Sequence, residues 1–154
     1  MAIHFNRILP NLYVGTVPKT FDDVERLIRE VGVTAVINLQ TDDDFEWYQV
    51  DLTKIQQYYE KQNIEVMRKP IQDFQLEDLR DKLPECANTV DEFARNGHII
   101  YLHCTAGINR SPTVAIGYLY SYLGYDMEAA ISVVKTSRIC DPYLEALYSA
   151  KFNI

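Results

Sequence analysis

Two hydrophobic periods alternate along the chain. Leu12-Tyr13-Val14-Gly15 is a short apolar run that predicts a strand. Thr20, with Asp23 three residues later, makes a capping-box pattern. Phe21, Val24, Leu27, Ile28 and Val31 then recur on one helical face up to Gly32, a C-cap residue. Residues 34–39 are β-branched and apolar, which predicts a buried strand, whereas 40–51 follow neither period and predict an acidic, aromatic loop. A helix near 52–62 and a strand near 64–69 come next, and Pro70 opens a second loop. Residues 83–95 predict a helix with Cys86, Val90, Phe93 and Ala94 inward, ended by Asn96-Gly97. Residues 99–102 are unbroken apolar, as in a strand covered on both faces. Residues 111–123 are apolar nearly all round and predict a central buried helix. Helices near 126–136 and 142–152 finish the pattern. The alternation predicts an α/β fold with a central, mostly parallel sheet flanked by helices. No repeat or linker interrupts it, so residues 1–154 are expected to form one domain.

Composition narrows the function classes. At 47% hydrophobic and 24% charged residues the chain is not of the disordered class, and a net charge of −7 disfavours nucleic acid as a partner. No run reaches the roughly 18 apolar residues of a membrane span, and the first residues lack a secretory pattern. A monomeric, cytoplasmic protein without a membrane partner is therefore expected. Three scattered cysteines (Cys86, Cys104, Cys140) and three histidines form no Cys-x-x-Cys or i, i+4 pattern. Neither a metal nor any other cofactor is expected.

The chemistry lies in His103-Cys104-Thr105-Ala106-Gly107-Ile108-Asn109-Arg110-Ser111-Pro112, where a buried strand gives way to a buried helix. A tight loop there turns successive N–H groups inward, and the helix start adds its positive dipole end, so Thr105 to Arg110 predict a phosphate nest. Gly107 permits a positive φ, and Pro112 suits the first helical turn. A cysteine at the mouth of such a nest is favoured as thiolate, the nucleophilic form. Arg110 can grip two phosphate oxygens, and the Ser111 hydroxyl can hydrogen-bond the sulfur as it leaves. His103 fits loop ordering better than base catalysis. Background frequencies give this pattern by chance in on the order of one chain in 10^4 to 10^5. An acid must also protonate the leaving alkoxide, and Asp73 is the candidate, with Asp78 and Asp81 as competitors on position alone.

These residues resemble the Cys-dependent phosphatases, whose signature is His-Cys-x5-Arg-Ser/Thr, and the length is similar to the compact dual-specificity branch. In that branch the acid precedes the nucleophile by about thirty residues. Asp73 lies 31 before Cys104, so the resemblance assigns the role to Asp73. Pro-Asn-Leu-Tyr-Val-Gly, Asp-Phe-Glu-Trp-Tyr-Gln-Val-Asp, Gln-Asp-Phe-Gln-Leu-Glu-Asp-Leu-Arg-Asp-Lys-Leu-Pro, His-Cys-Thr-Ala-Gly and Ser-Arg-Ile-Cys-Asp-Pro-Tyr-Leu-Glu-Ala-Leu are similar to plant starch (glucan) phosphatases. The resemblance implies dephosphorylation of a glucan, with Trp47, Tyr48 and Phe74 lining a channel whose flat faces stack on glucose rings. It also implies a departure, because Asn109 stands where those enzymes usually carry Gly. No carbohydrate-binding module is read in the chain. Tyr58, Tyr59, Tyr118, Tyr120 and Tyr122 sit at helical positions and predict packing, and Asp42-Asp43-Asp44 predicts a solvated loop. The alternative substrate is a phosphotyrosine or phosphoserine/threonine protein.

Overall fold

The computed structural model describes residues 2–47 and 50–153. Five strands form one sheet in the order β1-β2-β5-β3-β4: β1 (Phe5–Leu9), β2 (Leu12–Gly15), β3 (Ala35–Asn38), β4 (Glu65–Arg68) and β5 (Ile100–His103). The β2–β5, β5–β3 and β3–β4 pairs are parallel, and only β1 runs antiparallel, against β2. The expected mostly parallel sheet is present, with an added edge strand. Its sequence, Phe-Asn-Arg-Ile-Leu, has no clean alternation because an edge strand need not bury a whole face.

The period of two sorts the strand side chains between two cores. Leu12, Val14, Ala35, Ile37, Ile100 and Leu102 pack beneath the helices α4 (Leu76–Arg95), α5 (Arg110–Tyr122), α6 (Met127–Ser137) and α7 (Leu144–Ser149). Val36 and Tyr101, from the alternate positions, pack with Val24 and Leu27 of the α1 segment (α1, Phe21–Arg26) and with Ile55 and Tyr59 of α3 (Leu52–Lys61). Helices thus cover both faces. The capping box predicted at Thr20 and Asp23 is formed, and α1 continues through a π-helical turn at Leu27–Val31 to Gly32 at φ 72°.

Two segments depart from expectation. Residues predicted as loop contain a short helix, α2 (Asp42–Trp47). Thr41 Oγ1 accepts from Asp44 N at 3.3 Å while Asp44 Oδ2 accepts from Thr41 N at 2.8 Å, a capping box concealed within the acidic run. Helix α4 begins at Leu76 rather than 83 and carries Pro84 inside it. An interior proline costs about 3 kcal/mol, offset here by burial of Leu79 and Leu83 in the larger core. No helix among the described residues is long and apolar enough to cross a membrane.

Candidate active site

The carboxyl ends of three neighbouring parallel strands converge on one place. Strand β5 ends at His103 and leads into the 104–109 loop, and β3, in register with it (Asn38 opposite His103), leads to Gln40 and α2. Strand β4 leads through Ile71 to Asp73. Ligands of open α/β sheets bind at this edge.

The loop is held from outside, carbonyl by carbonyl. Cys104 O accepts from His103 Nδ1 at 2.9 Å, and Thr105 O accepts from Val17 N at 3.0 Å. Ala106 O and Gly107 O accept from Arg138 Nη2 at 3.2 Å and Nε at 2.7 Å. Ile108 O accepts from Asp141 N at 2.8 Å, and Asn109 O accepts from Thr113 N at 3.1 Å and from its hydroxyl at 2.6 Å. In a trans peptide the N–H points opposite to the C=O. Six outward carbonyls therefore leave the N–H groups from Thr105 to Arg110 turned toward the interior of the loop, a concave anion site at the N-terminus of α5. Gly107 sits at φ 68°, and a Cβ there would meet the Gly15 carbonyl carbon and oxygen and Arg138 Nη2, all at 2.6 Å. Only glycine fits that position.

Arg138 is the residue that sequence reasoning missed. It is buried, and its Nη1 reaches Asn6 Oδ1 at 3.0 Å and His4 Nδ1 at 3.1 Å, so strand β1 braces the group that braces the loop. Burial lowers its pKa from the ordinary arginine value. Asn109, the departure noted above, ties the loop to the same segment by donating from Nδ2 to Asp141 O at 3.0 Å.

Cys104 lies buried at the end of β5 with Sγ 3.2 Å from Ser111 Oγ. Arg110, only 2% exposed, points into the site. Its Nη1 donates to Asp44 Oδ2 and to Ile71 O, both at 2.8 Å, and Nη2 donates to Thr105 Oγ1 at 3.4 Å. Among the described residues Nε has no hydrogen-bond partner, although Asp73 Oδ1 approaches to 3.4 Å. A buried N–H without a partner is costly, and here it lies on the Nε–Nη2 edge that suits two phosphate oxygens.

The competing acids separate by environment. Burial raises the Asp78 carboxyl, but hydrogen bonds from Gln72 N and Lys82 outweigh it and hold the group below the usual carboxylate range. Asp78 thus anchors the loop after Pro70. Asp81 is exposed and pairs with Arg80 at 3.0 Å. Asp73, with its side chain 46% exposed, instead faces the site, its Oδ1 3.4 Å from Arg110 Nε. Asp44 does not conform to the solvated-loop expectation, because its carboxylate is 14% exposed and grips Arg110.

Phe74 (67% exposed) follows Asp73 directly in the chain, and Trp47 (81% exposed) lies one helical turn beyond Asp44 on α2. Tyr48 lies outside the described residues. The other tyrosines pack as expected: Tyr58 stacks on Phe21 at 4.5 Å, Tyr59 is buried, Tyr118 and Tyr122 stack, and Tyr120 meets Phe152 edge-on. Cys86 is buried, which pushes its thiol up to about 12, and half-buried Cys140 is raised by the same cause.

His103 is buried against Tyr101, and burial lowers its pKa to about 4. The neutral ring carries its proton on Nδ1, because a carbonyl only accepts. An unfolded histidine binds a proton below about pH 6.5, whereas the folded ring refuses it until about pH 4. Stability present above pH 6.5 is therefore lost as pH falls toward 4. At pH 4.5 the loss should be on the order of 2–3 kcal/mol. Urea midpoints at pH 7 and 4.5 should show wild type losing more than His103→Asn, and equal losses would refute the assignment.

A mostly parallel α/β sheet whose central strand leads through a tight loop, cysteine first and arginine last, into a buried helix is the arrangement of the Cys-dependent phosphatases. Residues 12–146 match the family "Dual specificity phosphatase, catalytic domain", and the chain belongs to it. It is 36% identical over 156 residues to "Phosphoglucan phosphatase DSP4, amyloplastic" of Castanea sativa, covering 100% of this chain and 41% of that protein. Laforin of Mus musculus is 31% identical over 136 residues, 82% of this chain and 41% of that one. Tyrosine-protein phosphatase vhp-1 of Caenorhabditis elegans is 30% identical over 131 residues, 85% of this chain and 18% of that one. The chain thus spans about two fifths or less of these relatives. The crystal structure of Tk-PTP in the active form shares the fold, with a TM-score of 0.74 at 24% identity over 94% of this chain and 91% of that one.

Proposed function

We propose that the chain acts as one catalytic domain that removes phosphate from a phosphorylated glucan through a phosphocysteine on Cys104. The loop's N–H groups and the Nε–Nη2 edge of Arg110 hold the three non-bridging oxygens of the phosphate monoester. Cys104 Sγ attacks phosphorus as the bond to the leaving oxygen breaks, and Asp73 delivers its proton to that oxygen. Water then attacks the phosphocysteine and Asp73 takes the water's proton. The sulfur leaves as thiolate, received by the Ser111 hydroxyl, and inorganic phosphate departs. No metal or other cofactor takes part, and a cytoplasmic setting fits a reduced thiol.

The observation that carries the glucan reading is Phe74. It is exposed and held at φ 55°, in the left-handed region, directly after Asp73. That backbone costs a bulky residue on the order of 1–3 kcal/mol, and such strain collects at ligand clamps. Together with bare Trp47, three residues after the Arg110-binding Asp44, it offers flat apolar faces of the kind that stack on glucose rings. The names of the chestnut relative and of its partial counterpart LSF1 in Arabidopsis thaliana, both phosphoglucan phosphatases, support this reading.

The test compares phosphate release from phosphorylated amylopectin, an aryl phosphate and a phosphotyrosine peptide. Trp47→Ala and Phe74→Ala should each lower kcat/KM on amylopectin by about 10- to 100-fold, the scale of a binding hot spot. Turnover of the aryl phosphate should stay within about threefold of wild type, because no contact at the nest changes. Equal losses on both substrates would return the aromatics to a packing role. The second reading, a phosphoprotein substrate, is favoured by the similarity to a tyrosine-protein phosphatase. Release from the peptide that exceeds release from amylopectin would select it.

A further inference from the structure

We infer that Asp44 is a positioning residue for the phosphate clamp: it fixes Arg110 through Nη1 so that the opposite edge is left for phosphate and Asp73 is left free as an acid. The inference rests on the phosphatase reading above and not on the glucan. It follows from a count of the five guanidinium N–H bonds. The two on Nη1 are spent on Asp44 Oδ2 and Ile71 O, both at 2.8 Å, on the side away from the nest. One on Nη2 makes the long contact to Thr105 Oγ1 at 3.4 Å, and Nε has no partner. The strong contacts lie on one edge of the fork and the weak or absent ones on the other. A planar group held along one edge cannot rotate, so the free edge keeps its aim.

Asp44 is built for this task and not for proton transfer. Its Oδ2 also accepts from Thr41 N at 2.8 Å and from Thr41 Oγ1 at 3.2 Å, so three donors converge on one oxygen. Helix α2 is in turn fastened by Asp42, which pairs with Arg68 at 3.0 Å, and by Phe45, whose ring lies 5.2 Å beneath the Arg68 guanidinium. The arrangement also divides labour between two carboxylates. A buried arginine needs a compensating charge. Asp44, at 2.8 Å from Nη1, supplies it, so Asp73 need not be captured by Nε, which it approaches only to 3.4 Å. Without Asp44, the nearest replacement counter-charge is the candidate acid itself.

Asp44→Asn keeps the shape and removes the charge. Its kcat/KM on a small aryl phosphate should fall by about 10- to 100-fold, the scale of a misplaced clamp. The inhibition constant of inorganic phosphate should weaken by a similar factor, because the edge that binds it is no longer aimed. Asp42→Asn loosens the same helix without touching Arg110, and should stay within about threefold of wild type in both measurements. Phosphate inhibition unchanged in Asp44→Asn would overturn the proposal, as would equal losses in the two variants, since either outcome makes Asp44 no more than a helix cap. Failure of the wild-type chain to turn over aryl phosphate would instead strike the phosphatase reading itself.

Discussion

Cys104→Ser should abolish phosphate release, by about four orders of magnitude or more, with the fold intact. The size of the loss follows from what surrounds the side chain. A hydroxyl must surrender its proton before it can attack, and serine nucleophiles rely on an adjacent base for that. Asp73 enters this step as the acid, and among the described residues the groups beside position 104 offer no other base. His103 is neutral and its Nδ1 proton is committed to Cys104 O. Ser111, 3.2 Å from the sulfur, is itself a hydroxyl, and Asp44 is saturated by donors. Oxygen in place of sulfur therefore leaves a weak nucleophile at the attacking position. Phosphate should still bind, because Arg110 and the N–H groups are untouched. Turnover of an aryl phosphate, with calorimetric titration of inorganic phosphate alongside, reads both quantities. Residual activity within about a hundredfold of wild type would show that phosphate leaves by a route that bypasses Cys104.

Asp73→Asn should give the second largest loss, and one that depends on the leaving group. A general acid contributes about 10^2- to 10^4-fold, but only where the departing oxygen needs a proton. Release from a nitrophenyl phosphate, whose phenolate departs unaided, should fall little. Release from phenyl phosphate or from a sugar phosphate should fall by the full amount. The plot of log kcat/KM against leaving-group acidity should therefore steepen in the variant. A uniform drop across the series would remove Asp73 from the acid role and leave it as a neighbour of Arg110. The same series run on Asp78→Asn should be flat, since that carboxylate is occupied by Gln72 N and Lys82.

Much of this site is legible without coordinates because it is local in sequence. The strand, the loop and the helix that follows are contiguous from residue 100 to 122, and each inward N–H belongs to the loop itself. Topology brings the loop of Asp73 to this edge, since parallel strands deliver their following loops there, but leaves Asp78 and Asp81 as competitors that only the resemblance to the dual-specificity branch sets aside. Arg138 was not legible, because its task is tertiary: it completes the carbonyls of Ala106 and Gly107 from the far end of α6. Asp44 was concealed differently. The signal existed, a threonine three residues before an aspartate, but three consecutive acidic residues read as solvated surface before they read as a cap. The early start of α4 was hidden by Pro84, which local preference places in a first turn and which core packing carries in the helix interior. In each case a long-range contact overrode a correct local preference.

The brace formed by Arg138 has a consequence for the timing of synthesis. The loop between Cys104 and Arg110 needs residues 4–6 to hold Arg138 and residues 138–141 to hold the loop, and these stand more than 130 residues apart in the chain. A ribosome-bound chain that has just exposed Cys104 and Arg110 still lacks both the guanidinium and the Asp141 amide that turn the carbonyls of 106–108 outward. Its peptide planes are free to rotate, and no ring of N–H groups yet surrounds the sulfur. Cys104 therefore gains its setting only once α6 and the segment after it have been released and folded against the first strand.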